Sequence, residues 1–323
     1  MVIDFQIHWI VPELAGPHHP ENKPGAYVQP DGSIKRYRPK EWSEIDKLIG
    51  FIDASGIDLA VVSVMDGMKG DLKMCRIVND RLKWAEEKYP GKIMGYAHIP
   101  PFGGSEAFAE LERCKNELGF KAACMFTVCK GVNLDDKQYW PFYEKLCELD
   151  LPLFIHPSIE IEMDIYPDYD LARSVAREGH LQTALVRLIN GGVLDDFPTL
   201  KVIFAHLGGG IAANLARQIS YQDKEFWFTV GDPRASRKCK RDFREYLGEM
   251  YFDTAGIIAD IDAVKMALMK IPARSIVFGT DYPYEIRDPK VVQKFIQDIR
   301  GLPLAKDEIE GILGDTGRKL LGV

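Results

Sequence analysis

Three features are scarce or missing in this sequence: paired cysteines, long apolar runs and an excess of basic residues. The six cysteines are scattered and none forms a Cys-x-x-Cys pair, so neither a thiolate zinc knuckle nor a disulfide scaffold is expected. The net charge of −7 argues against a nucleic-acid partner, because phosphate binding needs a basic surface. The first residues, MVIDFQIHW, predict no signal peptide or membrane span. We therefore expect a cytoplasmic enzyme.

Short apolar runs alternate with longer segments of helical period along the chain. The runs predict strands at 2–8, 57–64, 92–99, 120–128, 151–156, 200–206, 249–255 and 274–281. The intervening segments predict helices at 41–55, 73–88, 104–118, 138–149, 170–190, 210–226, 258–270 and 289–300. Eight strand–helix alternations favour an α/β fold, a closed (β/α)₈ TIM barrel formed by one domain over residues 1–323.

Residues 11–40 interrupt this alternation directly after the first strand. The segment is rich in Pro, Gly, His and Arg, and a loop of this length is usually functional or disordered. Because it follows a barrel strand, we expect it over the C-terminal mouth as an active-site cover; a passive surface excursion is the alternative. His18 and His19 lie in this segment, where solvent exposure is the simpler expectation.

Polar residues end four of the predicted strands. His8, His156, His206 and Asp281 each come directly after an apolar run. The C-terminal strand ends of a barrel meet at one mouth, which is where such enzymes have their active sites. Two imidazoles and a carboxylate form a facial ligand set for a divalent metal such as Zn²⁺ or Mn²⁺. The third imidazole would then be available for acid–base chemistry.

Six segments carry a more specific signal: IDFQIH (3–8), LFIHPS (153–158), VIFAHLGGG (202–210), YFDTAG (251–256), IVFGTDYPYE (276–285) and ILGDTGRKLLG (312–322). In this order they resemble the amidohydrolase-2 family over nearly the whole chain. That family includes decarboxylases of aminocarboxymuconate semialdehyde, γ-resorcylate and 5-carboxyvanillate, together with hydrolases and hydratases of related acids. The resemblance implies a barrel enzyme with a divalent metal, and it also implies a homodimer.

The resemblance implies a role for each residue at the predicted mouth. His8, His156 and Asp281 match metal ligands of the family. His206 matches the catalytic histidine, which polarises or protonates the substrate beside the metal. Asp281 is also a candidate for relaying a proton to or from the metal-bound water.

Substrate-binding residues are less sharply indicated. Arg38, four residues before Trp42, resembles the arginine–tryptophan segment that binds a substrate carboxylate in the family's decarboxylase. Arg36 is a second candidate for this role, and the alternative is that Arg38 is a solvated loop arginine. Trp9 is a candidate wall for a planar substrate, although packing alone would also place an aromatic residue there. His98 ends the third predicted strand, where facing the substrate and a structural role are both open.

Gln6 departs from the family pattern, whose first strand usually reads Asp-x-His-x-His or has Glu at this position. Gln6 and His8 are two residues apart, so both side chains point to the same face of the strand. An amide oxygen can coordinate a hard cation but is a poor zinc ligand. Three outcomes are open: Gln6 binds the metal weakly or orients its water, the metal is kept by three ligands, or the metal is lost.

The leading hypothesis is a metal-dependent non-oxidative decarboxylase of a small anionic aromatic or muconate-type acid. The alternative is a metal-dependent hydrolase of a lactone, amide or C–C bond in a ring-derived acid. A barrel that binds a ligand without catalysis is supported only by Gln6. Lys121 begins the fourth strand, at the wrong end to bridge two metals, so one metal at most is expected. The glycines at 208–210 suit a turn better than a phosphate cradle.

Overall fold

Parallel strands close into a barrel with helices around it. The computed structural model describes residues 1–16, 21–22, 25–28, 30–31, 34–158 and 168–323, without the side chains of residues 34 and 35. His18 and His19 lie outside the described residues, so their expected exposure stays a prediction. Among the described residues, no helix is both long enough and apolar enough to cross a membrane.

The strands are numbered β1 to β12 in chain order. They are Ile3–His8, Gly25–Val28, Ile34–Tyr37, Leu59–Ser63, Ile93–Gly95, Ala123–Phe126, Val128–Cys129, Val132–Asn133, Leu153–His156, Val202–Phe204, Tyr251–Asp253 and Ile276–Val277. β1, β4 and β5 form one parallel sheet, and β6, β9, β10, β11 and β12 form another. These strands lie within the predicted ranges, and β2–β3 and β7–β8 are separate antiparallel pairs.

The two parallel sheets join along both edges. Ala97 bridges to Ala123 in parallel, which connects the end of β5 to β6. On the other side Ile7 bridges to Tyr282, and the amide of Phe5 donates to the carbonyl of Phe278 at 2.9 Å. The predicted (β/α)₈ barrel is therefore confirmed.

The α-helices are numbered α1 to α13 in chain order. They are Ile45–Ser55, Met65–Lys69, Leu72–Lys88, Gly104–Arg113, Trp140–Glu148, Arg177–Asn190, Val193–Asp196, His206–Ser220, Phe243–Leu247, Ile261–Leu268, Pro289–Arg300, Lys306–Glu310 and Thr316–Leu321. Short 3₁₀ turns cover Pro12–Leu14, Lys40–Ser43, Lys137–Tyr139, Pro233–Ala235 and Ala273–Ser275. Wider π-helical turns cover Cys114–Leu118, Ala172–Ala176 and Gly311–Asp315.

Helix α1 illustrates why the sequence pattern worked. Ile45, Leu48, Ile49 and Ile52 recur at helical spacing, and all four are buried against the barrel. The helix ends at Gly56, whose φ of 77° is the left-handed conformation that favours glycine at a helix C-terminus. The outer helices are thus fixed by one apolar face each.

The segment after β1 differs from the expectation of an irregular loop. In its described part, β2 and β3 form an antiparallel hairpin, with the rings of Tyr27 and Tyr37 4.6 Å apart. Two strands of four residues are too short to show clear alternation. The Pro-Asp-Gly sequence at 30–32, between two short aromatic runs, was the available turn signal. Whether the whole segment covers the mouth stays a prediction.

Helix α13 packs closely beneath β1. A Cβ atom added to Gly317 would lie 2.3 Å from the ring of Phe5, which is fully buried. Gly317→Ala should therefore lower the free energy of unfolding by about 1–3 kcal/mol through overpacking. Gly50 in α1 has nothing within 4 Å of such a Cβ, so Gly50→Ala should be neutral or stabilising by up to about 1 kcal/mol.

Denaturant unfolding of the two alanine variants beside the unchanged chain measures this difference. Equal stability of the Gly317 variant and the parent chain would show that α13 does not approach β1 as closely as described.

Candidate active site

Four polar side chains meet at the C-terminal mouth of the barrel. His8 ends β1, His156 ends β9, His206 follows β10 and Asp281 follows β12, and all four are buried. The His8 and His156 rings are 4.9 Å apart, and the His156 and His206 rings 5.8 Å. Asp281 lies 2.9 Å from His8 Nε2 and 3.6 Å from His206 Nε2. The structure therefore brings together the residues that the sequence singled out.

Three of these side chains have the geometry of a ligand set. Potential donor atoms of His8, His156 and Asp281 lie within 4.8 Å of one another. An oxygen of Asp281 lies 2.9 Å from His8 Nε2, but the two atoms are not aligned for a hydrogen bond. His8 Nε2 therefore has no hydrogen-bond partner among the described residues. Two ligand atoms that each lie about 2.1 Å from a metal ion, at a right angle to one another, are about 3.0 Å apart. A divalent ion therefore fits this donor set.

The outer ring nitrogens of both histidines are held by neighbours. His156 Nδ1 lies 2.9 Å from the carbonyl of Pro157, and His8 Nδ1 lies 2.8 Å from Ser63 Oγ. A hydrogen bond at Nδ1 leaves Nε2 facing the common centre, as metal-binding histidines require. Burial, reinforced by His8, keeps the pKa of His156 well below its usual range, so this imidazole is neutral.

Asp281 is ionised in this environment. Burial would raise the pKa of its carboxyl, but the nearby imidazoles of His206 and His8 outweigh burial and hold the pKa below its usual range. A neutral imidazole and an ionised carboxylate are the forms that bind a metal ion.

Gln6 lies beside the same centre. We assign its amide so that the NH₂ donates to Asp253 Oδ2 at 2.7 Å. The amide oxygen is then 3.0 Å from His206 Nε2 and 3.2 Å from His156 Nε2. The reverse assignment would place the amide oxygen against the carboxylate. The amide oxygen therefore borders the candidate metal centre and accepts from His206.

Glu178 of α6 contacts His206 and was not found from the sequence. Its carboxylate oxygens lie 2.9 and 3.1 Å from His206 Nδ1. Burial alone would lower the pKa of His206, but the charge and hydrogen bond of Glu178, together with the nearby carboxylate of Asp281, outweigh it and raise the pKa to about 10. Glu178 comes from a helix rather than a strand end, so no strand-end signal pointed to it.

The backbone at His206 is unusual. Residues 206–210 all have positive φ, between 51° and 72°, so α8 begins with a left-handed turn. Residues other than glycine rarely adopt this left-handed backbone conformation in succession. A Cβ atom at Gly209 would lie 2.2 Å from the carbonyl oxygen of Glu178. The glycines at 208–210 thus allow the turn that presents His206, in agreement with the expected turn.

Two buried carboxyl groups hold the backbone near the site, one at His206 and one next to Asp281. Asp253 Oδ1 accepts from the amide of His206 at 2.9 Å and from the amide of Ala255 at 3.0 Å. Asp4 accepts from the hydroxyl of Thr280 at 2.6 Å, next to Asp281. Burial raises the pKa of Asp253 to about 7 and that of Asp4 to about 8. Sequence analysis did not select either carboxyl. Asp4 lies inside β1, and Asp253, the last residue of β11, lies inside the longer predicted strand 249–255.

Two of the predicted substrate-binding residues point elsewhere. Trp9 follows His8 directly, so its side chain points to the opposite face, toward the surrounding helices. There its Nε1 donates to the carbonyl of Ser43 at 3.2 Å, and its ring stacks on Trp84. Both ring nitrogens of His98 bond to backbone, to the Tyr96 carbonyl at 2.8 Å and the Val64 amide at 3.0 Å. Neither Trp9 nor His98 therefore offers a polar atom to a substrate.

The two arginines of the first loop differ in position. Arg38 donates to Asp66 at 2.7 Å, and its charge acts on Tyr284, whose ring packs 5.4 Å from that of His8. Arg36 instead pairs with Asp170 at 3.5 Å, and both of these side chains are about half exposed. Arg38 is therefore the arginine connected to the mouth, through Tyr284.

Comparison with known proteins agrees with this arrangement. The amidohydrolase-2 family pattern, described as "Amidohydrolase", matches residues 3–323. The chain belongs to the amidohydrolase-2 family. It is 26% identical to 2-amino-3-carboxymuconate-6-semialdehyde decarboxylase of Dictyostelium discoideum over 95% of this chain and 84% of that protein. It is 28% identical to γ-resorcylate decarboxylase of Polaromonas sp., over 76% and 81%.

A solved structure shares the fold of this amidohydrolase. 5-Carboxyvanillate decarboxylase from Novosphingobium aromaticivorans, complexed with manganese and 4-hydroxy-3-methoxy-5-nitrobenzoic acid, superposes with a TM-score of 0.81. The match covers 100% of this chain and 96% of the other, at 19% identity. The two chains therefore share this fold.

The contact between Glu178 and His206 can be tested without a metal. Glu178→Gln removes the charge that raises the His206 pKa, so this pKa should fall from about 10 towards the usual value. A raised folded-state pKa stabilises the fold fully below about pH 6.5 and loses this effect as the pH rises through 10. The variant should therefore lose most stability near pH 6 and least above pH 10.

Imidazole ¹⁵N shifts in chelator-treated protein measure the pKa, and denaturant unfolding across pH measures stability. Glu117→Gln, which removes an exposed carboxylate, is the control and should change neither. An unchanged His206 titration in the Glu178 variant would contradict the contact.

Proposed function

We propose that this amidohydrolase is a metal-dependent, non-oxidative decarboxylase of a small aromatic or muconate-type carboxylic acid. The observation that carries the proposal is the convergence of His8, His156 and Asp281 beside a protonated His206. The activities named for its relatives, on γ-resorcylate and on aminocarboxymuconate semialdehyde, support the same reaction.

One divalent ion, manganese or zinc, would be held by His8, His156 and Asp281, with the Gln6 oxygen as a weak fourth donor. When bound, the ion supplies Lewis acidity toward the oxygen atoms of the substrate. The manganese in the 5-carboxyvanillate decarboxylase structure supports this choice of cofactor.

His206 is the proposed proton donor. Glu178 holds its Nδ1 proton, which leaves the proton on Nε2 directed to the centre. Transfer of this proton to the carbon that bears the carboxylate interrupts conjugation. The bond to the carboxylate then breaks, CO₂ leaves, and its bonding electrons restore the conjugated system. Asp281, 3.6 Å from His206 Nε2, is placed to relay a proton from water to the imidazole, which restores the proton donor.

Arg38 is the proposed partner of a substrate carboxylate, because its charge interacts with Tyr284, whose ring packs against that of His8. The segment over residues 11–40 is the proposed cover of the mouth. We further propose one domain over residues 1–323, a homodimer and a cytoplasmic location, each from the resemblance and composition.

Metal dependence and the type of reaction can be tested together. Protein purified without chelators should contain about one equivalent of a divalent metal. Chelation should abolish CO₂ release from carboxylated phenols or muconate-type acids, and Mn²⁺ should restore it. Asp281→Asn should lose activity as well, because a neutral amide binds the ion weakly. Persistent activity without metal would contradict the proposal, and ¹⁸O incorporation from water would favour the hydrolase.

Gln6 should limit zinc affinity. Gln6→His replaces a neutral amide oxygen with an imidazole at the edge of the donor set, so zinc should bind about 10–100-fold more tightly. Gln6→Asn, which keeps the amide but shortens the side chain, is the control and should not gain affinity. Competition with a fluorescent chelator measures the affinities. Equal zinc affinity of the histidine variant and the parent chain would place Gln6 outside the donor set.

A further inference from the structure

Glu285 has a carboxylate oxygen that the proposed mechanism does not use. Its side chain is 10% exposed, and Oε1 accepts from Arg177 Nη2 at 2.9 Å. Oε2 is buried and has no hydrogen-bond partner among the described residues. A buried acceptor without a donor is unfavourable, and more so when it belongs to a charged group.

The unpartnered carboxylate borders the reaction centre. Potential donor atoms of Glu285, His206 and Asp281 lie within 4.8 Å of one another. The backbone amide of Glu285 also donates to the carbonyl of Asp281 at 3.0 Å, one helical turn back. A substrate held next to His206 and Asp281 is therefore within reach of Glu285.

A second metal ion is a poor explanation for this group. The Arg177 guanidinium already occupies one side of the Glu285 carboxylate, and its positive charge opposes a cation beside the same group. Arg177 is itself fixed, because its Nε donates to Glu178 at 2.9 Å. This chain of contacts holds the carboxylate in one orientation and leaves Oε2 for a neutral donor.

We propose that Glu285, positioned by Arg177, accepts a hydrogen bond from a hydroxyl group of the substrate and so selects phenolic or enolic acids. The inference rests on the proposed function, since it concerns the same site. A ligand whose hydroxyl is methylated leaves the buried oxygen without a donor and also crowds it. Loss of a hydrogen bond to a charged group should weaken binding by about 10–100-fold.

Nitrophenols test the inference because a nitro group replaces the carboxylate and cannot leave as CO₂. The probes are 2-nitroresorcinol, 4-nitroresorcinol and nitrohydroquinone, each beside its monomethyl ether. Calorimetry with the Mn²⁺-loaded full chain should show at least one diol binding about 10–100-fold more tightly than its ether.

Glu285→Gln should reduce this preference to about 3-fold or less, because the amide turns its oxygen to Arg177 and a donor to the ligand. Arg177→Met should reduce it too, since Glu285 is then no longer positioned. Glu249→Gln breaks an exposed pair with Arg241 and is the matched control, which should keep the preference. Metal content and circular dichroism check that each variant is folded.

Equal weakening of diol and ether by Glu285→Gln, or an unchanged preference, would overturn the inference. CO₂ release by the parent chain without any diol preference would overturn the inference and leave the proposed function intact. A diol preference without CO₂ release would support Glu285 and contradict the proposed reaction. Failure of all probes to bind the parent chain would count against both.

Discussion

The candidate site depends on the hydrogen bonds that join the first strand to the segment after the last one. The amide of Asp281 donates to the carbonyl of Gln6 at 2.8 Å, and the amide of His8 donates to the carbonyl of Tyr282 at 2.7 Å. These bonds close the barrel and also set the register between two groups nearly the whole chain apart. Because side chains alternate along a strand, a shift of one residue would turn Gln6 and His8 away from Asp281.

Charge at the mouth is arranged so that neighbouring groups hold different protonation states. His156 is neutral because burial, reinforced by His8, lowers its pKa, and the carbonyl at its Nδ1 carries no net charge to offset this. His206 is protonated because its Nδ1 faces the carboxylate of Glu178. Two imidazoles 5.8 Å apart thus suit different tasks, metal binding and proton donation. The distinction comes from the partner of the outer ring nitrogen rather than from the residue type.

The sequence predicted the parts of the site that local rules govern. Strand positions and helix faces follow from apolar periodicity, and strand-end polar residues such as His8 and Asp281 follow from the geometry of a barrel. Glu178 could not be predicted, because its contact with His206 depends on how α6 packs against α8, the helix that begins at His206. For Trp9 the contacts with Ser43 and Trp84 favour the packing alternative, because side chains that neighbour each other along a strand point to opposite faces.

Local backbone preference and site geometry conflict at two residues that carry function in the proposal. His206 and Asp281 have φ values of 54° and 55°, which residues other than glycine rarely adopt. Each is held by a buried backbone bond, from His206 N to Asp253 and from Asp281 N to the Gln6 carbonyl. Strained backbone persists where surrounding contacts over-determine it. Gln6 therefore acts twice, since its carbonyl fixes Asp281 while its side chain joins Asp253 to His206.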